Sequence, residues 1–204
     1  MTVSHAPNFD LTGSVMLVTG PARGLGRAST LACAAAGADI VLGLRDKASD
    51  GGLTAEVERM GRKVLPLQLD VTRMDQIGDG VARALDRFGR IDVLLNNVGV
   101  GPENPAERVT EEDFDFTLAA NLKGTFFMTQ AVGRTMIDRR KGRIVNMSSQ
   151  AGSVVLHGES VYCMTKAAIN HLTRCLASEW APHGITVNSI APTFIHTEGT
   201  APAL

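Results

Sequence analysis

The chain has 204 residues, of which 44% are hydrophobic and 20% charged, and a formal net charge of -1. That is enough apolar material for one packed core, and so balanced a charge gives no electrostatic footing for nucleic acid or an anionic membrane surface. No apolar run is long enough to span a bilayer, and Met1 to Asp10 lack the basic start and apolar stretch of a signal peptide.

Taken in chain order, Val15–Thr19 is a short apolar run that reads as a buried strand. A helical segment follows from Gly24 to Ala36, ending at Gly37 as a C-terminal cap. Asp39–Leu44 is the second strand. Ser49–Gly61 carries Leu53, Val57 and Met60 at helical spacing, and Val64–Leu69 is the third strand. Thr72 is placed to cap a helix over Met74 to Phe88, in which Ile77, Val81 and Leu85 recur four apart. Ile91–Asn96 is the fourth strand. Thr110 opens an acidic first turn, and helix runs on to about Arg139 with a bend near Gly124. Arg143–Ser148, a helix over Val161 to Ala181, and a sixth strand at Ile185–Ile190 complete the pattern. Strands alternating with helices predict an α/β fold, a doubly wound parallel sheet. The strands read as continuous apolar runs, as expected when helices cover both faces. With no internal boundary or repeat, residues 1–204 read as a single domain.

Cys33, Cys163 and Cys175 are odd in number and read as free thiols of a reducing, cytoplasmic compartment. The five histidines share no ligand spacing with them, so no metal site is expected.

The chemistry lies at the strand ends. Thr19-Gly20-Pro-Ala-Arg23-Gly24-Leu25-Gly26 joins the first strand to the first helix. Glycines there allow a tight turn and close approach of a pyrophosphate, which the helix N-terminus favours. The spacing is G-x-x-x-G-x-G, and its position after a strand and before a helix is what makes it more than a Gly-rich turn. Asp70-Val71 ends the third strand, where a carboxylate either accepts from an adenine amino group or simply starts a loop. Asn96-Asn97-Val98-Gly99 ends the fourth strand and either fixes neighbouring loops or lines a cofactor crevice. Asn121 lies mid-helix, against propensity, which points to a local hydrogen-bonding task. Ser149 sits thirteen residues before Tyr162, the only tyrosine, and Lys166 follows Tyr162 by four. On a helix that step stacks both side chains on one face. An ammonium beside a phenol would lower the phenol pKa and make it a usable proton donor near neutral pH; a surface Tyr/Lys pair on an amphipathic helix is the plain alternative.

In order and spacing, these stretches resemble the short-chain dehydrogenase/reductase family, over about Leu11 to Thr197. The resemblance implies a Rossmann fold with strand order 3-2-1-4-5-6, normally closed by a seventh strand that this chain does not contain. It implies an NAD(P)-dependent oxidoreductase interconverting a carbonyl and a secondary alcohol. In that mechanism Ser149 polarises the substrate carbonyl and Tyr162 exchanges the proton. Lys166 lowers the Tyr162 pKa and binds the nicotinamide ribose, and Asn121 holds a water of a proton relay. Cofactor contacts are implied for Gly20, Arg23, Gly24, Leu25, Gly26, Arg45, Asp70, Val71, Asn97, Gly99, Tyr162, Lys166, Pro192, Ile195 and Thr197. Leu44 stands where NAD binders favour a carboxylate, and Arg23 and Arg45 suit a 2′-phosphate. NADP is therefore expected, with NAD the runner-up should Asp46 reach the ribose hydroxyl.

Two positions depart from the family pattern, Val98 for alanine and Thr193 for glycine. Family members also run further, so the chain reads as a fragment or a natural truncation, with the edge of the sixth strand left open. The partner expected is a small carbonyl or alcohol, of sugar-acid, polyol or 3-oxoacyl type, in a homodimer or homotetramer with Cys175, Leu176 and Trp180 near the subunit surface. A non-catalytic dinucleotide-binding scaffold is the competing expectation, and the presence of Asn121, Ser149, Tyr162 and Lys166 together favours the enzyme.

Overall fold

The computed structural model describes residues 9–197. Six strands form one parallel sheet: β1 (Val15–Thr19), β2 (Asp39–Leu44), β3 (Val64–Gln68), β4 (Val93–Asn96), β5 (Gly142–Met147) and β6 (Ile185–Ile190). Their order is β3-β2-β1-β4-β5-β6, as the resemblance implied. Six α-helices connect them: α1 (Gly24–Ala35), α2 (Leu53–Arg59), α3 (Met74–Phe88), α4 (Glu111–Leu118), α5 (Gly124–Arg139) and α6 (Ser160–Trp180).

The two-residue side-chain period of a strand divides the core in two. Val15 and Leu17 of β1 face one side, where Ile77, Val81 and Ala84 of α3 and Met128, Val132 and Met136 of α5 pack. Met16 and Val18 face the other, with Ala34 of α1 and Leu53 and Val57 of α2. All five residues of β1 are buried because it lies between β2 and β4 and under both layers. In β6, at the end of the sheet, only Ile185 and Val187 are buried, while Thr186, Asn188, Ser189 and Ile190 are exposed.

Several local readings change. Arg73, not Thr72, precedes α3, and no side chain caps that helix. The Thr72 hydroxyl instead donates to Asp70 Oδ1 at 2.8 Å, a short-range bond that competes with capping. Thr110 does cap α4, accepting from the Asp113 N–H at 3.1 Å. The bend expected near Gly124 is a π-helical turn over Ala119–Lys123. Leu176 lies in the core and Trp180 packs against it, partly buried. Leu176 is 7% exposed, and the Trp180 ring lies so close to Gly133 that a Cβ there would be 2.5 Å from it. Glycine on α5 opens a slot that a large ring fills.

Candidate active site

The loop between β1 and α1 is shaped by contacts that side chains would block. Gly20 and Gly24 have φ of 65° and 55°, in the left-handed region. A Cβ on Gly26 would lie 2.4 Å from the Gly20 carbonyl oxygen and 2.5 Å from Asn97 Nδ2. Asn97 binds the same loop, donating from Nδ2 to the carbonyls of Thr19 and Gly20 at 3.2 and 2.9 Å. Of its two expected tasks, fixing loops is thus observed directly. Val98 has a consequence of its own: its Cγ2 lies 3.0 Å from where a Gly20 Cβ would stand, a tight contact that adds to the left-handed φ in favouring glycine there. Arg23, which precedes α1, makes no capping side-chain bond, and the first turn of α1 holds no acidic residue. A helix start without a side-chain cap or an acidic first turn favours an anion.

From this loop a crevice of about 690 Å³ runs along the carboxyl ends of the strands. It brings together Gly20, Arg23, Gly24, Leu25, Gly26, Arg45, Asn97, Gly99, Ser149, Tyr162, Lys166, Pro192, Ile195 and Thr197, all singled out in the sequence. Ala22, Ser49, Met147 and Ser148 also line it and were not foreseen. Small residues and a methionine carry no chemical signature of their own; their adjacency to Arg23, Asp46 and Ser149 was the available signal. Asp70, Val71 and Asn121 are not on the lining. The Asp70 carboxylate accepts from the Thr72 N–H and hydroxyl at 2.9 and 2.8 Å. Val71 is buried, packed against Gly124.

At the far end of the crevice Ser149 follows β5 and Tyr162 lies on the first turn of α6. Burial raises the Tyr162 phenol pKa; a hydrogen bond with Ser149 works to lower it, and the charges of Glu159 and Cys163 add to the rise. The expected lowering by Lys166 is therefore not the arrangement seen. Lys166 is 2% exposed, and its Nζ donates to the Met147 carbonyl at 2.8 Å. That nitrogen sits over the Tyr162 ring, 5.4 Å from its centroid. A desolvated ammonium takes the nearest carbonyl, and burial pulls the Lys166 pKa down to about 8.

The Asn121 side chain is tied into the fold by three hydrogen bonds. Its Oδ1 accepts from the Val100 N–H at 2.8 Å, while Nδ2 donates to the Val100 carbonyl at 2.7 Å and to Thr165 Oγ1 at 3.0 Å. It thereby ties the loop after β4 to α6. Below the crevice, Asn96 Nδ2 donates to Thr129 Oγ1 and Asn146 Oδ1, and Asn146 Nδ2 to Thr173 Oγ1. This buried chain fixes α5, β4, β5 and α6 together directly under the site. Among the described residues, no group of three metal-ligating side chains occurs, and no helix is long and apolar enough to cross a membrane.

The open N-terminus of α1, the close-packed glycines and the length of the crevice fit a dinucleotide. Comparison with known proteins agrees. Residues 14–203 match the family model for short chain dehydrogenase. The 3-oxoacyl-[acyl-carrier-protein] reductase of Thermotoga maritima is 42% identical over 190 residues, spanning 93% of this chain and 77% of that protein. The NAD-dependent glycerol dehydrogenase of Listeria innocua is 41% identical, over 94% of this chain and 74% of that protein. Among solved structures, a short-chain type dehydrogenase/reductase from Mycobacterium marinum superposes with a TM-score of 0.93 at 34% identity, covering 96% of this chain and 78% of that one. With the glycine loop, the strand order and these matches in agreement, the chain belongs to the short chain dehydrogenase family, oxidoreductases that act on CH–OH groups with NAD(P).

Proposed function

We propose that Tyr162 is the proton donor and acceptor in the interconversion of a ketone and a secondary alcohol, with Ser149 orienting the substrate oxygen. The observation that supports this best is one crevice lined by both the glycine loop and Ser149, Tyr162 and Lys166. The dinucleotide would be held by the N-terminus of α1 and by Gly20, Gly24 and Gly26, with Asn97, Gly99, Pro192, Ile195 and Thr197 further along. When bound, it supplies the redox chemistry that the side chains lack. Ser149 donates a hydrogen bond to the substrate oxygen, and Tyr162 passes its proton to that oxygen as the carbonyl is reduced. In the reverse direction the phenolate takes the proton back. A raised phenol pKa keeps Tyr162 protonated at neutral pH, the form that reduction needs. Lys166, beneath the ring, restrains it, and Asn121 holds Val100 and α6 in register. Tyr162→Phe removes the proton donor, so turnover should fall by roughly 10²–10⁴-fold.

For the cofactor, NADP(H) is the preferred form, with NAD(H) second. Arg23 and Arg45 are exposed on the crevice, and neither takes part in an ion pair among the described residues. Asp46, the residue that would serve a ribose hydroxyl, is folded into its own turn. It accepts from the Ser49 hydroxyl at 2.6 Å and the Ala48 N–H at 3.0 Å. Arg45→Ala should weaken NADPH binding about tenfold or more, the worth of one charge-assisted contact, and leave NADH nearly unchanged. Equal losses for both, measured by nicotinamide fluorescence, would remove Arg45 from that role.

A further inference from the structure

We propose that Glu159, backed by Glu103, sets the charge preference of the substrate site, so that neutral polyhydroxy compounds are accepted and carboxylates such as sugar acids are disfavoured. This rests on Tyr162 being the reacting group. Glu159 directly precedes α6 and stands three residues before Tyr162; its carbonyl accepts from the Cys163 N–H at 2.8 Å, which fixes it at the start of the helix. Glu103 comes from the loop after β4. That loop is fastened to the segment before α6 by a bond from the Asn104 N–H to the Gly158 carbonyl at 2.8 Å. The Glu103 Cγ lies 3.2 Å from where a Gly158 Cβ would stand, and a Cβ on Gly101 would lie 2.9 Å from Tyr162 Cδ2. The loop after β4 thus packs against the Tyr162 ring and against the segment before α6, and each of these two segments carries a glutamate.

Neither carboxylate is in an ion pair among the described residues. Glu159 is half-buried, and its pKa is raised by burial and by the charge of Glu103. Its own charge reaches the phenol, adding to the rise in the Tyr162 pKa. The groups whose charge or hydrogen bonding bears on the Tyr162 phenol are then Ser149, Cys163 and Glu159, with Lys166 over its ring. The one cation among them lies over the ring and is engaged by the Met147 carbonyl. A substrate whose oxygen reaches Tyr162 brings its neighbouring substituents into this negative field. Like charges repel there, whereas polyol hydroxyls donate to carboxylates.

Two measurements on the full chain test this. In the first, kcat/KM is compared for threitol and for gluconate in the wild type, Glu159→Gln and Glu103→Gln. The ratio favouring threitol should fall roughly three- to tenfold in Glu159→Gln and less in Glu103→Gln, and salt should narrow the difference. The second needs no substrate. Tyr162 is the only tyrosine, so phenolate absorbance reports its titration alone, and Glu159→Gln should move that titration to lower pH. A purely structural glutamate would move neither. A wild type that prefers gluconate, or an unmoved phenol titration, overturns the proposal while the Tyr162 assignment stands. Full turnover by Tyr162→Phe would overturn both.

Discussion

At the scale of single residues, Lys166 shows how a site can oppose stability. Its ammonium is almost fully buried with one carbonyl for a partner, and burial depresses its pKa from 10.5 to about 8. The charged form is thus penalised in the folded chain but not in the unfolded one. Below pH 8 the full penalty applies. Between pH 8 and 10.5 the unfolded lysine binds more protons than the folded one, so stability rises with pH, and above 10.5 both are neutral and the penalty is gone. Lys166→Met should therefore stabilise the dinucleotide-free protein at pH 7, by up to about 3 kcal/mol at 1.36 kcal/mol per pKa unit. In urea unfolding that gap should close as pH approaches 10.5; a gap constant with pH would show that packing, not charge, is responsible. The Tyr162–Lys166 pair was legible from its four-residue spacing. The direction of the Tyr162 shift was not, because burial and the carbonyl of Met147, nineteen residues before Lys166, outweigh the proximity that spacing implies.

At the scale of elements, Asp92 joins the base of the sheet to its covering helix. It accepts from the Val15 N–H at 2.9 Å, from Arg90 Nε at 2.9 Å and from Arg139 Nη2 at 2.6 Å, linking β1, the start of β4 and α5. Burial works to raise its pKa, but these hydrogen bonds and guanidinium charges outweigh it and hold the carboxyl below its usual value. Its stabilisation is present above the unfolded pKa of about 3.9 and is lost as pH falls through the lower folded value. Asp92→Ala leaves a strand N–H and two arginines without their shared acceptor, and should destabilise the fold by about 3 kcal/mol, read as a lower denaturation midpoint with an unchanged slope. Nothing in the sequence marked Asp92, since its partners Val15 and Arg139 lie 77 and 47 residues away. The π-helical turn was partly legible, because asparagine is poorly placed inside a helix. The widened turn sets Asn121 where it reaches Val100 and Thr165 at once.

Across the whole molecule, the strand order followed from alternation and resemblance because both depend on near-neighbour pattern: apolar runs make central strands, and helices must cover them. The glycine loop was legible for a similar reason, since its motif lies within seven residues, Gly20 to Gly26. What pattern could not place were the contacts between loops, such as Asn97 with Thr19 and Gly20, or the strap that brings Glu103 beside Gly158. These depend on how the carboxyl ends of separate strands converge. That convergence is the basis of the proposed function: the glycine loop and Tyr162 line one crevice. The most direct test is to titrate Tyr162→Phe with NADPH and NADH by fluorescence and to assay the same protein for carbonyl reduction. The account predicts wild-type dinucleotide affinity with turnover lower by roughly 10²–10⁴-fold. Turnover retained at the wild-type level would contradict it.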